Sequence, residues 1–148
     1  MGKFTDEALI TSKFWVEIGG VAEGFFRECT GLQIQTEVFE YNEGGRNNYT
    51  YKFPVRSKAN NVVLKRGLVV PDGLWRWYRD VIDGKVKRSS VTIHVYENHV
   101  MAQSSGPATS WRLQDAFPVR WTGPDFNSNE NATAVEQLEF TCSSIARY

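Results

Sequence analysis

The chain has 148 residues, 41% hydrophobic and 23% charged, as suits one globular domain with a single core. Seventeen basic residues balance seventeen acidic ones, which argues against nucleic-acid binding through bulk charge, because neutralising phosphates takes a basic surplus or stripe. Cys29 and Cys142 stand without a CxxC or a nearby histidine pair, which argues against a disulfide framework or structural zinc, and 14% aromatic content argues against long disorder.

Residues 1–11 contain no apolar run of signal-peptide length, and no stretch approaches the ~18 apolar residues of a membrane span. Ser12 to Ile18 sets Phe14, Val16 and Ile18 on one face, as in a half-buried strand. Gly19-Gly20 signals a hairpin. Val21 to Cys29 reads as the returning strand, with Phe25, Phe26 and Cys29 as its apolar part, broken by Thr30-Gly31. From Leu32 to Tyr41 the alternation is cleaner. Leu32, Ile34, Thr36 and Val38 point one way; Gln33, Gln35, Glu37 and Phe39 point the other, as the pleat requires.

Asn42 to Asn61 changes character. Glu43 to Asn48 is turn-rich, and Pro54, Ser57, Asn60 and Asn61 follow. Twenty residues without a strong period is long for a loop in a compact domain. Tyr49, Tyr51, Phe53 and Val55 nevertheless alternate, so the segment reads as an extended arm that packs on something. Val62 to Val70 is a strand carrying Gly67 as a candidate bulge. Asp72 is a candidate N-cap for a helix, in which Leu74, Trp77, Tyr78, Val81 and Ile82 form one apolar stripe before Gly84. Ser90 to Glu97 alternates Val91, Ile93 and Val95 against Thr92, His94 and Tyr96. Thr109 to Phe117 places Trp111 and Leu113 opposite Arg112 and Gln114, and Val119 to Thr122 is a separate short strand. Ala134 to Ser143 sets Leu138, Phe140 and Cys142 against Gln137, Glu139 and Thr141. Seven or eight short strands and one helix predict a mainly β domain, a sandwich or barrel with the helix laid against it.

Catalytic signals are weak. His94 and His99 are the only histidines, one on a strand face and one past its end, and no GxSxG accompanies them. Glu43-Gly44-Gly45 lacks dinucleotide-loop spacing. Asp80 and Asp83 read as a solvated helix face. Lys85, Lys87 and Arg88 read as favourable charge near a helix C-terminus or as a surface for an acidic partner. Two-faced strands suit a barrel wall facing water, and free strand edges suit pairing with neighbouring copies.

A set of segments in fixed order carries a family resemblance. Phe14-x-Val16-x-Ile18-Gly19 opens the first hairpin, and Phe25 leads to Cys29-Thr30-Gly31-Leu32. Glu37 to Gly45 (EVFEYNEGG) and Asn61 to Gly67 (NVVLKRG) follow, then Leu74-Trp75-x-Trp77. Trp111, Ala116-Phe117-Pro118, Gly123-Pro124 and Ala134-Val135-Glu136-x-Leu138 complete the series. Over about residues 12–145 the chain resembles the inner-tube proteins of contractile phage tails and contractile injection systems. Those proteins are similar in fold to the haemolysin-coregulated tube protein of type VI secretion. Cys29 and the irregular stretch Asn98 to Thr109 depart from the pattern.

The resemblance implies one tail-tube domain over 1–148, with its helix outside and its strands joining a continuous barrel in a hexameric ring. Rings stack head to tail, as heterologous contacts that do not close allow. It implies an inter-subunit and inter-ring arm over 39–61, carrying Phe39, Tyr41, Glu43, Gly44, Gly45, Arg46, Asn47, Tyr49, Tyr51 and Phe53. Gln33, Gln35, Glu37, Gln137, Glu139 and Thr141 become candidates for the lumen wall. Such a near-neutral lining lets cargo pass without sticking. The implied role is mechanical: sheath contraction drives a rigid tube through a target envelope, with no catalytic residue, cofactor or metal. Implied partners are further copies of the chain, a sheath protein, baseplate or spike and terminal cap proteins, and cargo protein or DNA. The implied setting is synthesis in a bacterial cytoplasm and incorporation into a phage tail or injection particle. Two other readings compete: a monomeric β-sandwich binding module with Trp15, Trp111 and Trp121 as ligand platforms, and an enzyme built on His94 or His99.

Overall fold

The computed structural model describes residues 13–19, 21–42, 50–69, 71–96, 106–129 and 133–148. Alternation across strands dominates it. The elements are β1 (Lys13–Ile18), β2 (Val21–Phe26), β3 (Glu28–Thr30), β4 (Ile34–Tyr41), β5 (Tyr51–Ala59), β6 (Val62–Gly67), α1 (Gly73–Ile82), β7 (Ser89–Tyr96), β8 (Thr109–Thr122), β9 (Val135–Thr141) and β10 (Ser144–Arg147). Every strand pairing is antiparallel. The main sheet runs β2-β1-β7-β8-β9-β6-β3, β10 pairs with β8, and β4 and β5 form a sheet of their own.

One face of the main sheet is the core. Val62, Leu64, Val91, Ile93, Leu113, Leu138 and Phe140 are buried at alternate positions, as the period of two demands. The helix closes this face. Its stripe places Leu74 and Trp77 in the core, with the Trp77 ring 6.2 Å from Phe140 and Trp75 4.7 Å from Trp121. At the far end Gly84 takes φ +79°. The amides of Gly84 and Lys85 donate back to the carbonyls of Val81 and Asp80, which satisfies the last turn in the Schellman manner.

A charged pair is buried in the core between the neighbouring strands β6 and β9. Arg66 Nε lies 2.7 Å from Glu136 Oε1, both side chains being only 4% exposed. Trp121 Nε1–H donates to Glu136 Oε2 at 3.3 Å, and the Arg66 guanidinium stacks over Phe26 at 5.1 Å. A buried pair adds little beyond a well-packed apolar equivalent, but removing one partner strands a charge at a cost of about 3–5 kcal/mol.

Several details differ from the sequence reading. Val21 to Cys29 is two strands, not one. The amide of Arg27 donates to the Lys65 carbonyl, and the chain passes there from one end of the sheet to the other. The sheet therefore curls until β2 and β3 adjoin, but no ladder joins them, and it remains an open sheet rather than a closed barrel within one chain. Phe26 is buried while Phe25 is exposed. Thr109 to Thr122 is one long strand that bends at Asp115 (φ +52°) and carries β7 and β10 on its first half and β9 on its second. Gly67 pairs regularly with Val135 and ends β6 without a bulge. Ile82 faces solvent. Asp72 occupies the N-cap position without a side-chain capping bond; its carboxylate pairs instead with Arg76 at 2.7 Å. The aperiodic segment contains the nine-residue strand β5, and Ser144 to Arg147 forms an additional strand.

Glu136→Ala is expected to lower stability by about 3–5 kcal/mol. The joint replacement Arg66→Met with Glu136→Leu should recover most of that loss. Urea unfolding at low protein concentration checks both.

Candidate functional site

The distinctive surface is the β4–β5 ribbon. It grows directly out of the core sheet. Thr30 faces Val63 in the β3–β6 ladder and Ile34 faces Ala59 in the β4–β5 ladder, with an unchanged pairing offset. Between the two ladders the Asn60 amide donates to the Gln33 carbonyl at 2.9 Å, and Asn60 Nδ2 donates to Gln33 Oε1 at 3.0 Å. Gly31 makes this junction possible. It adopts φ +91°, and a Cβ there would collide with the Asn61 carbonyl, a position only glycine fills without strain.

Farther out the ribbon carries one bulge. Thr36 faces Ser57 and Val38 faces Pro54, so Val55 and Arg56 share the place opposite Glu37. A bulge accommodates the missing Pro54 amide. The pairs then divide the side chains. Ile34, Thr36 and Val38 lie on one face, where Thr36 and Ser57 share a 2.9 Å hydrogen bond. Gln35 and Glu37 lie on the other with Lys58 and Arg56, and Glu37 pairs with Arg56 at 3.3 Å. Those four polar groups line a shallow recess of about 360 Å³. Beyond them on the same face stand Phe39, Tyr41, Tyr51 and Phe53, with the Tyr51 and Phe53 rings stacked at 6.4 Å.

Among the described residues nothing covers the outer part of either face. Ile34, Val38, Phe39, Tyr41, Phe53 and Val55 are each 50–56% exposed. A two-stranded ribbon gains little stability alone in water, and a contiguous apolar surface marks an interaction site. Of the expected arm residues, Phe39, Tyr41, Tyr51 and Phe53 sit on this ribbon; Glu43, Gly44, Gly45, Arg46, Asn47 and Tyr49 lie outside the described residues.

The two groups of lumen candidates meet only at the ribbon's root. Gln33 bonds Asn60, and the next residue, Asn61, donates to Glu139 at 3.3 Å. Gln35 and Glu37 stand out on the ribbon. Gln137, Glu139 and Thr141 are half-buried on the side of β9 opposite its buried residues. Around Glu139 opposite charges pair along the sheet: Arg120 with Glu139 at 3.7 Å, and Lys65 with Glu28 at 3.7 Å. Gln137 and Lys65 also edge a recess of about 430 Å³.

The three tryptophans of the binding-module reading have internal partners. Trp15 packs edge-on against Phe25 at 4.7 Å, Arg147 lies over Trp111, and Trp121 holds Glu136 and Trp75. His94 Nδ1 lies 2.7 Å from Ser110 Oγ, and Nε2 lies 3.5 Å from Glu17. These groups sit on neighbouring strands. The Ser110 amide donates to the Tyr148 carbonyl. His99 lies outside the described residues. Among the described residues no three His, Cys, Asp or Glu side chains gather as metal ligands, and no helix is long and apolar enough to cross a membrane.

Residues 11–145 match the family described as T4-like virus tail tube protein gp19. The chain belongs to this tail tube family. A chain in the cryo-EM structure of the anti-feeding prophage tube-terminating cap shares its fold, with TM-score 0.84, 23% identity and coverage of 100% of this chain and 95% of that one. A chain in the extended PVC sheath–tube complex of an extracellular contractile injection system gives TM-score 0.84 at 23% identity, covering 97% and 93%. Hcp1 from Flavobacterium johnsoniae shares the fold more distantly, with TM-score 0.53, 11% identity and coverage of 91% and 94%. No curated protein sequence matches.

The two cysteines of this tail tube protein are free thiols. Burial pushes the Cys29 thiol up to about 12 and raises Cys142 above its ordinary value of 9.0. The thiolate is the reactive form, so both are expected to be slow towards Ellman's reagent at pH 8 in the folded protein and to react promptly in denaturant. Each raised value also favours the folded state below the ordinary thiol range. That contribution falls away as pH climbs from 9 towards the folded-state value.

Proposed function

We propose that the protein forms the repeating inner tube of a contractile particle: six copies close into a ring and rings stack head to tail around a hollow channel. The observation that carries this reading is the uncovered ribbon, in a chain of the tail tube family. It exposes seven large apolar side chains, Ile34, Val38, Phe39, Tyr41, Tyr51, Phe53 and Val55, on a sheet that the other described residues leave bare. Further copies of the chain supply the missing cover. The open main sheet supports the same reading, because joining edges between copies removes the hazard of unpaired strands.

The work of such a tube is transmission of force, and it asks for stiffness rather than a reacting group. Antiparallel pairing and a dense core supply stiffness; no covalent step is assigned to any residue. The arm of this reading spans residues 39–61, and the aromatic end of the ribbon, Phe39 and Tyr41 with Tyr51 and Phe53, belongs to it. Gln33, Gln35, Glu37, Gln137, Glu139 and Thr141 line the channel. Paired charges such as Arg120–Glu139 keep the wall near neutral, so protein or DNA cargo slides without being held. Chains of similar fold occur in a sheath–tube complex, a baseplate and a terminating cap, which supports a sheath, a baseplate and a cap as partners. Synthesis in a bacterial cytoplasm precedes assembly.

Negative-stain electron microscopy across a concentration series tests the assembly. Six-membered rings or stacked tubes are expected; uniform monomers at high concentration would count against it. Gln35→Cys and Gln137→Cys test the channel wall against a background of slow native thiols. In assembled tubes both are expected to react at least tenfold more slowly with a bulky maleimide than in dissociated subunits. Equal rates would place these side chains outside.

A further inference from the structure

The two strands of the ribbon have little of their own to choose a register by. Register is pinned where one face of a strand is buried, because a slip of one residue turns every side chain to the other face. On β4 and β5 that penalty is weak. Ile34, Val38, Phe39, Phe53 and Val55 are exposed, and each face mixes apolar with polar groups: Ile34, Thr36 and Val38 on one, Gln35, Glu37 and Phe39 on the other. The ladder already changes its offset by one residue between Thr36 and Val38. That bulge separates the far turn from the inner pairs, which need a mark of their own.

We propose that the Gln33–Asn60 pair is that mark, a side-chain lock that selects the register of the ribbon in the free subunit. The two residues face each other where the ladder leaves the body, at the offset shared by Thr30–Val63 and Ile34–Ala59. The Asn60 amide donates to the Gln33 carbonyl at 2.9 Å, and Asn60 Nδ2 donates to Gln33 Oε1 at 3.0 Å. The position of Asn60 is fixed from the body. Asn61 beside it donates to Glu139 of β9 at 3.3 Å, and Ala59 before it is 8% exposed in the core cluster. The strand free to slide is β4, which follows the left-handed Gly31. A slip of one residue sets Leu32 or Ile34 against Asn60, and neither side chain accepts a hydrogen bond. The half-buried Asn60 amide then loses its side-chain partner, at a cost in desolvation. The same slip replaces Ile34 by Gln33 or Gln35 opposite the buried Ala59. Either direction is thus penalised twice. Gln33 and Asn60 act as positioning residues: they decide which side chains the ribbon turns to each side, and so which apolar faces the tube reading above offers to other copies.

Disulfide trapping in dissociated subunits at low concentration reads the register whether or not tubes form. Thr36→Cys with Ser57→Cys reports the native register, since those side chains share a 2.9 Å hydrogen bond. Thr36→Cys with Arg56→Cys, or with Lys58→Cys, reports a slip in either direction. In the native register Arg56 and Lys58 lie on the face opposite Thr36, where no bridge closes. With Gln33 and Asn60 intact, mild oxidation is expected to give at least tenfold more native bridge than either slipped one. Gln33→Glu with Asn60→Asp sets two carboxylates face to face and removes every side-chain donor from the pair. The native bridge should then fall at least threefold while a slipped one rises. Gln33→Glu with Asn60→Lys returns a donor and should restore the native yield. An unchanged native yield with the two carboxylates would overturn the lock. Equal loss in both pair variants, or a loss with no gain in either slipped bridge, would overturn it too. Thermal unfolding checks that the body of each variant is intact. If the two-carboxylate variant fails that control, Gln33→Ala with Asn60→Ala is read in the same way. A wild type that never assembles would overturn the tube and leave the lock standing.

Discussion

A single antiparallel pairing runs from the core to the aromatic end of the arm, and much of the molecule is arranged around it. Its inner part, β3 with β6, belongs to the main sheet. Its outer part, β4 with β5, leaves that sheet without changing offset. Because the offset is kept, the arm is held by backbone hydrogen bonds across the junction and by the Gln33–Asn60 side-chain bond. A tether of that kind positions an interface in a way a flexible loop does not. The cost is local: Gly31 must take a left-handed conformation against Asn61.

The core explains why such an arm can be carried. Alternate residues of six strands and two helix side chains fill one face of the curled sheet, and the Arg66–Glu136 pair is enclosed there with Trp121 and Phe26 around it. An apolar pair of similar volume would serve such a setting about as well, but losing one partner alone strands a buried charge. The opposite face of β6, β9 and β8 holds its charges in opposed pairs.

Nothing about the histidine cluster requires a reaction. His94, Ser110 and Glu17 satisfy one another on neighbouring strands, as cross-strand polar partners do. The unusual chemistry of this chain is apolar and lies on the ribbon, where large side chains are exposed to water. Family membership and that uncovered surface point the same way, although one comes from residue order and the other from exposure.

The sequence by itself determined the strands whose two faces differ: β1, β4, β7 and β9 are legible in their alternation, as is the helix between Asp72 and Gly84. It also carried the family, because short motifs in fixed order survive even where each alone is weak. Tertiary structure decided the rest. The split at Arg27 depends on a hydrogen bond to Lys65, which is remote in sequence. The unity of β8 depends on partners that hold it through the bend at Asp115. β5 was legible only as an extended arm, because Pro54 and the bulge beside it interrupt the period of two. The polar and aromatic halves of one ribbon face emerge only from the register with β4. Each of these depends on a contact between residues far apart in the chain, and a local pattern records what a residue prefers to face but not which strand it will find there.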